Sequence, residues 1–186
     1  MPASLLLSVT LAGWVLLELG VRVRESVQGR GRTGHDRFAR VLIGATIGAT
    51  VALAANASNA QPLRIFDPGR AAGLAVMWLG LGLRVWAIAT LGNAFRTTVE
   101  VDPGQAVVST GPYRRIRHPS YTGLLLILGG LGLALDNWSS LAICALLPLP
   151  ALLLRIKVEE AELTRVLGDT YRSYQRETKR LIPGLW

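Results

Sequence analysis

The sequence contains a single cysteine, Cys144, among its 186 residues, so no disulfide can form within the chain. It is also poor in charge, because Asp, Glu, Lys and Arg make up 17% of the residues while hydrophobic residues make up 51%. The hydrophobic residues are gathered in runs of about 20, the length of a membrane-spanning helix. No Gly-x-Gly-x-x-Gly motif follows a predicted strand, so nothing supports a soluble nucleotide-binding fold. These absences favour a membrane protein.

The charge that is present is mostly positive. Basic residues outnumber acidic ones by 20 to 12, and eighteen of the twenty are arginines. They cluster in polar segments beside the hydrophobic runs, which favours contact with anionic lipid over nucleic acid binding. The preference for arginine over lysine is typical of a GC-rich bacterial genome, so we expect a multi-pass protein of a bacterial inner membrane.

The hydrophobic runs predict an all-α fold with about five transmembrane helices in a single membrane-embedded domain, 1–186. Residues 1–91 would hold the N-terminal helices, and 92–186 the half that carries the motifs. We expect Pro148 and Pro150 to kink or break the fifth span, and Gly168 to end an amphipathic helix that begins near Arg155. The predicted spans are 2–21, 38–58, 71–91, 121–135 and 138–154.

Arginine-rich segments alternate with segments that have few basic residues, and this alternation predicts the orientation. The segments 22–40 and 92–120 and the tail from Arg155 onward are rich in arginine, whereas the other side has only Arg64 and Arg70. The positive-inside rule then places the N-terminus outside and the C-terminus in the cytoplasm. We take the first hydrophobic run as a retained helix, not as a cleaved signal peptide.

Three further polar residues lie outside the main motifs. Glu18 is expected at a membrane interface, where it could reach water or an arginine. Arg84 lies within the third run, and two interpretations remain open: it snorkels to the nearby interface, or it lines a pocket. His35 is expected in a solvated loop without partner ligands, and no metal site is predicted.

The most informative stretch is 111–123, which reads Gly-Pro-Tyr-Arg-Arg-Ile-Arg-His-Pro-Ser-Tyr-Thr-Gly. Positive-inside orientation explains its arginines but not its histidine, tyrosines and prolines. The stretch resembles the Gly-x-Tyr-x-x-x-Arg-His-Pro-x-Tyr-x-Gly signature of the isoprenylcysteine carboxyl methyltransferase family of integral-membrane methyltransferases, which are related to the phospholipid methyltransferases. A second matching block follows at 155–160, 163, 168, 171, 174 and 180–183, so the resemblance covers the chain from about Leu91 onward.

The resemblance implies that the cofactor is S-adenosyl-L-methionine, with S-adenosyl-L-homocysteine as the product. It implies that one glutamate of the second block accepts hydrogen bonds from the cofactor. Neighbouring helix positions point about 100° apart, so only one of Glu159 and Glu160 is expected to face the pocket, and we prefer Glu160. Leu181, Ile182 and Pro183 would give the adenine an apolar cover. The remaining residues that the resemblance assigns to cofactor binding are Gly111, Tyr113, Arg117, His118, Tyr121 and Gly123.

The resemblance also implies the reaction, which is methyl transfer to a lipophilic or prenylated substrate that enters from the bilayer. Carboxyl O-methylation of an isoprenylcysteine-like carboxylate is preferred, with Arg155 and Glu160 as catalytic residues. Arg155 would hold the carboxylate, although it could instead serve only membrane orientation. The alternatives are N-methylation of a phospholipid or other lipid amine, a membrane reductase related to sterol reductases, and a non-catalytic scaffold. Nucleic acid and metal are not expected as partners.

Overall fold

The computed structural model describes residues 3–27, 34–60, 69–95, 101 and 105–186. Within these ranges the chain forms helices and turns, and its only β-type pairing is an isolated parallel bridge between Ile116 and Lys179. The all-α prediction is confirmed. Its helices are α1 (Ala3–Val27), α2 (Gly34–Ala60), α3 (Gly69–Leu91), α4 (Pro119–Ala134), α5 (Trp138–Leu146) and α6 (Leu149–Glu177). Short 3-10 turns lie at Gly92–Ala94 and Gly111–Arg114.

Four helical stretches in the described part of the chain are long and apolar enough to cross a membrane. The shorter α4 is also apolar, so the long stretches and α4 together match the five predicted spans. The four long stretches are Leu5–Val27, Val41–Asn59, Arg70–Leu91 and Trp138–Glu177.

Some predicted boundaries were wrong. The loop expected from residue 22 does not begin there, because α1 continues to Val27. Arginine and glutamate are good helix formers, so the polar end of α1 remains helical. His35 belongs by its backbone to the first turn of α2, although its side chain lies outside the described residues. The run 97–101 has a composition typical of a strand, and it also falls outside the described residues, except for Val101.

The prolines and glycines of the C-terminal half act as predicted. Helix α5 ends at Leu146 and α6 begins at Leu149, so the helix is interrupted next to Pro148, and Pro150 lies in the first turn of α6. Gly168 then interrupts α6 with φ 56° and ψ −130°, values that glycine adopts readily. The polar part of α6 is therefore two helical pieces, of which the first carries both glutamates of the second motif block.

Helices α3 and α4 pack closely through facing glycines. A Cβ atom added at Gly80 would lie 2.6 Å from the Gly123 carbonyl oxygen, and one added at Gly130 would lie 2.7 Å from that of Gly73. Small residues allow such close approach where lipid provides no hydrophobic driving force between helices. The core beside this contact includes Met77 and other side chains from α1 to α6: Trp14, Ala54, Ile127, Leu128, Leu131 and Leu152.

Arg84 pairs with Glu18 inside this helix bundle. The Arg84 Nε and Nη2 atoms donate to the Glu18 carboxylate at 2.6 and 2.9 Å, and Nη1 donates to the Ser120 carbonyl at 3.0 Å. Arg84 is only 6% exposed, so the snorkelling interpretation is wrong. The expectation that Glu18 could reach an arginine is met by this pair.

Candidate active site

The two motif blocks meet through their backbones. Arg117 N donates to the Lys179 carbonyl at 2.7 Å, His118 N to Arg180 O at 3.0 Å, and Lys179 N to Arg115 O at 3.1 Å. This short parallel pairing places the segment before α4 against the segment after α6. Side chains that are about 40 residues apart in the sequence therefore share one site.

Glu160 is the centre of a buried ion cluster at this junction. Arg117 Nε donates to Glu160 Oε1 at 2.7 Å, and Arg180 Nε donates to Oε2 at 3.0 Å. His118 Nε2 lies 3.3 Å from Oε1. Arg117 also donates to the backbone carbonyls of Gln175 and Thr178, which fixes its guanidinium in place. Arg117 and Arg180 together balance the charge of the buried carboxylate, as buried charges require.

Glu159 has different partners. The Tyr121 hydroxyl donates to Glu159 Oε2 at 2.8 Å, and Arg155 Nε donates to the Tyr121 oxygen at 3.4 Å. Arg155 is also buried and lies four residues before Glu159 on α6. The ring of Tyr121 stacks on that of His118, with centroids 5.6 Å apart. Two neighbouring glutamates thus serve two linked networks, because the segment 117–121 contacts both of them and Arg180 contacts only Glu160.

A cavity of about 90 Å³ lies beside these networks. Glu159 lines it and Glu160 does not, so the structure places the less preferred glutamate at the cavity wall. Arg117, His118, Tyr113, Tyr171 and Tyr174 also line it. Burial, followed by the nearby Glu159 charge, raises the pKa of the Tyr113 phenol, so this hydroxyl stays protonated.

Tyr171 and Tyr174 belong to the second matching block but are not among the residues that the resemblance assigns to cofactor binding, although both line the cavity. Both are buried, and the Tyr174 hydroxyl donates to the Tyr113 carbonyl at 2.7 Å. Leu163 and Leu167 line the same wall from the helical piece before Gly168. Within each piece the spacing, i and i+4 for the leucines and i and i+3 for the tyrosines, marks one face of a helix and was the signal available in the sequence.

The other predicted site residues are not among the residues that line the cavity: Gly111, Tyr121, Gly123, Arg155, Glu160, Leu181 and Pro183. Gly111 adopts φ 56° beside Thr90, and Gly123 packs against Gly80 of α3, so both glycines have structural reasons for close approach. Leu181 is buried and its carbonyl accepts from Thr122 Oγ1 at 2.8 Å, whereas Pro183 is exposed. The part of the chain that the structure describes holds no group of three or more His, Cys, Asp or Glu residues close enough to bind a metal.

The helices and buried polar networks define the class: an integral membrane protein whose polar site is built at one end of its helices. The model of the isoprenylcysteine carboxyl methyltransferase family matches residues 73–165, half of the chain, and the chain belongs to this family. The matched region contains α3, α4 and α5, together with Arg155, Glu159 and Glu160 of α6. Helix α1 and the segment after α6 lie outside it.

Named relatives differ in the substrate that their names give. The chain is 31% identical over 121 residues to the protein-S-isoprenylcysteine O-methyltransferase of Schizosaccharomyces pombe, covering 64% of this chain and 51% of the relative. It is 28% identical over 126 residues to the methanethiol S-methyltransferase of Pseudomonas sp. (strain GM41(2012)), covering 62% and 46%. The chain thus spans about half the length of the curated relatives it matches.

A solved structure has a similar fold. It is that of the eukaryotic intramembrane Ras methyltransferase, isoprenylcysteine carboxyl methyltransferase, and the likeness covers 100% of this chain and 68% of that one. The TM-score is 0.64 at 23% sequence identity. At this identity the likeness concerns the fold.

Proposed function

We propose that this protein binds S-adenosyl-L-methionine and methylates a lipophilic substrate, with an isoprenylcysteine-like carboxylate as the acceptor. The observation that carries the proposal is the double network at the end of the membrane helices. Glu159, Tyr121 and Arg155 form one half, and Glu160, Arg117 and His118 form the other. Membership of the methyltransferase family supports the same reaction.

The donors and acceptors around the cavity fit the cofactor. A carboxylate at the wall, Glu159, suits an ammonium or a ribose diol, and the tyrosine rings of Tyr113, Tyr171 and Tyr174 suit an adenine. His118 can donate to a carboxylate. We assign Arg117 a supporting role, because it already donates to Glu160 and to two carbonyls. When bound, S-adenosyl-L-methionine supplies an electrophilic methyl group on a sulfonium.

The acceptor would be held by Arg155. A carboxylate is ionised at neutral pH and needs no strong general base, so the protein has to orient it and keep water away. Arg155 is buried beside Tyr121, where the apolar part of α6 meets the polar part. An apolar tail is most stable in lipid, so the substrate would enter from the bilayer with its carboxylate directed at Arg155.

The orientation follows from the arginines. We place the N-terminus outside and the C-terminus in the cytoplasm of a bacterial inner membrane, where the soluble cofactor is available. The alternative acceptors are a lipid amine, for which nothing in the site gives specific support, and a thiol, named for one relative.

Cofactor binding and acceptor choice can be tested separately on purified protein in detergent. Titration calorimetry should detect S-adenosyl-L-methionine and its demethylated product, and much weaker binding of NADPH. Methyl transfer should then be highest to a prenylcysteine carboxylate, compared with its methyl ester, a lipid amine and methanethiol. Absence of cofactor binding in a folded sample would overturn the proposal. Transfer to the amine or the thiol alone would mean that this compound, and not the carboxylate, is the acceptor.

A further inference from the structure

Glu18 and Arg84 lie in two membrane helices, and their ion pair reaches the first turn of α4. Glu18 belongs to α1, outside the region that the family model matches, and Arg84 belongs to α3. Trp14 Nε1 donates to Glu18 Oε1 at 3.0 Å, which orients the carboxylate. Arg84 Nη1 donates both to the Ser120 carbonyl at 3.0 Å and to the Ser120 hydroxyl at 2.7 Å. Arg84 therefore connects the ion pair to a single residue of α4, Ser120.

Holding α3 against α4 does not require this arrangement. The facing glycines already bring the two helices into backbone contact along their length, at Gly80 with Gly123 and at Gly73 with Gly130. Arg84 is buried, whereas the Glu18 side chain is 25% exposed, and an ion pair with a buried member is often no more stabilising than apolar packing of similar volume. The purpose indicated by its contacts is control of the position of Ser120.

Ser120 lies between His118 and Tyr121 in the sequence, and both of these residues contact the glutamates of α6. His118 precedes α4 and approaches Glu160, and Tyr121 follows Ser120 and donates to Glu159. The amide of Tyr121 donates to the His118 carbonyl at 3.1 Å, so these residues share one turn. A shift of this turn would move both side chains relative to α6.

We propose that Glu18 and Arg84 are positioning residues of the site: their ion pair fixes Ser120, and through it aligns His118 and Tyr121 with Glu160 and Glu159. The expected effect on turnover rests on the proposed function, whereas the expected effect on the structure of the 118–121 turn does not. It makes α1 part of the functional unit. The pair would contact neither the cofactor nor the acceptor and would act through the turn at 118–121.

The main test is the double variant Glu18→Gln, Arg84→Met, which removes the contacts to Ser120 without leaving an unpaired buried charge. Hydrogen exchange of the 117–124 segment, measured without ligand, should become faster on the order of tenfold because this turn loses its support. Cofactor affinity and kcat should fall, with kcat decreasing roughly tenfold to a hundredfold, as expected when reacting groups are misplaced by about 1 Å.

The matched control is Arg70→Met. Arg70 lies on α3 as well, and its Nε donates to the Ala134 carbonyl at the opposite end of α4 at 3.4 Å. It should leave exchange at 117–124, cofactor affinity and kcat unchanged. Ser120→Ala, which keeps the ion pair and the carbonyl contact, should give a smaller effect in the same direction and serves if the double variant does not fold.

The outcomes separate the two proposals. If the natural protein neither binds the cofactor nor transfers methyl groups, the proposed function fails, and exchange at 117–124 still decides the positioning role. If the double variant and Ser120→Ala leave that exchange unchanged, the positioning inference is overturned, whatever the activity. Equal acceleration in Arg70→Met would also overturn it, because the effect would then be a general loss of stability.

Discussion

Arg117 Nε lies 2.7 Å from Glu160 Oε1, and both side chains are largely shielded from water. The same guanidinium donates to the carbonyls of Gln175 and Thr178 at the end of α6. Arg117 thus joins the segment before α4 to both the middle and the end of α6. Glu160 contributes to the site first as the anion that this junction requires, and the neighbouring Glu159 is the carboxylate that faces the cavity.

Glu160→Ala should therefore be strongly destabilising. Removing one partner of a buried ion pair leaves the other uncompensated, which costs about 3–5 kcal/mol. The thermal midpoint in detergent should fall, and cofactor affinity should fall with it. Glu162→Gln is the control on the same helix, since Glu162 pairs with the exposed Arg165 and such surface pairs contribute little to stability. Equal midpoints for the two variants would contradict the role given to Glu160.

Glu159→Gln should affect binding more than stability. The substitution keeps the size of the side chain and an oxygen that can accept from Tyr121, but it removes the charge at the cavity wall. Losing a hydrogen bond to a charged group costs about 1.5–3 kcal/mol, roughly a tenfold to hundredfold loss of cofactor affinity by calorimetry. The thermal midpoint without cofactor should stay near that of the natural protein. A lower thermal midpoint with unchanged cofactor affinity would mean that Glu159 stabilises the fold and does not bind the cofactor.

Sequence reasoning succeeded where the signal is local and failed where it is spatial. Hydrophobic runs gave the membrane helices, and Pro148, Pro150 and Gly168 gave their interruptions, because each residue acts on its own backbone. The contact of Glu18 with Arg84 spans 66 positions and depends on how α1 and α3 pack, which periodicity does not encode. The sequence predicted that only one glutamate faces the pocket, and one of the two lines the cavity, but it is Glu159 and not the preferred Glu160. Helical geometry alone does not reveal which face of α6 is turned to the cavity.

Gly130 and its neighbour Gly129 offer a paired test of the α3–α4 contact. Gly130→Ala would put a Cβ atom 2.7 Å from the Gly73 carbonyl oxygen, whereas nothing lies within 4 Å of a Cβ at Gly129. Overpacking typically costs about 1–3 kcal/mol, so Gly130→Ala should lower the thermal midpoint. Gly129→Ala should leave it unchanged or raise it, because alanine is favoured over glycine in a helix by about 0.5–1 kcal/mol. Similar midpoints for both variants would mean that the helices are not in close contact at Gly130.

The orientation can be tested with reporter fusions that distinguish cytoplasm from exterior. Fusions after Arg30 and after Arg117 should both report cytoplasm, since both follow arginine-rich segments. A fusion after Gln61, in the segment with few basic residues, should report the exterior. An external signal at Arg117 would place the site on the side of the membrane away from the cytoplasmic cofactor and would contradict the orientation.

Arg155 separates acceptor binding from cofactor binding. Its guanidinium is buried and donates from Nε to the Tyr121 oxygen. If it holds the acceptor carboxylate, Arg155→Ala should leave cofactor affinity nearly unchanged and lower kcat/KM for the prenylcysteine substrate steeply. Arg155→Lys should recover only part of this loss, because an ammonium cannot reproduce the two-pronged contact of a guanidinium with a carboxylate. Lys157→Ala, which removes an exposed cation two residues further along α6, is the control and should keep full activity.

If Arg155 serves only orientation, its lysine variant should be fully active, and its alanine variant should be poorly expressed or inserted in the inverted membrane topology. Full activity of Arg155→Lys would remove Arg155 from the acceptor site and leave the assignments of His118 and Glu159 to their own binding measurements.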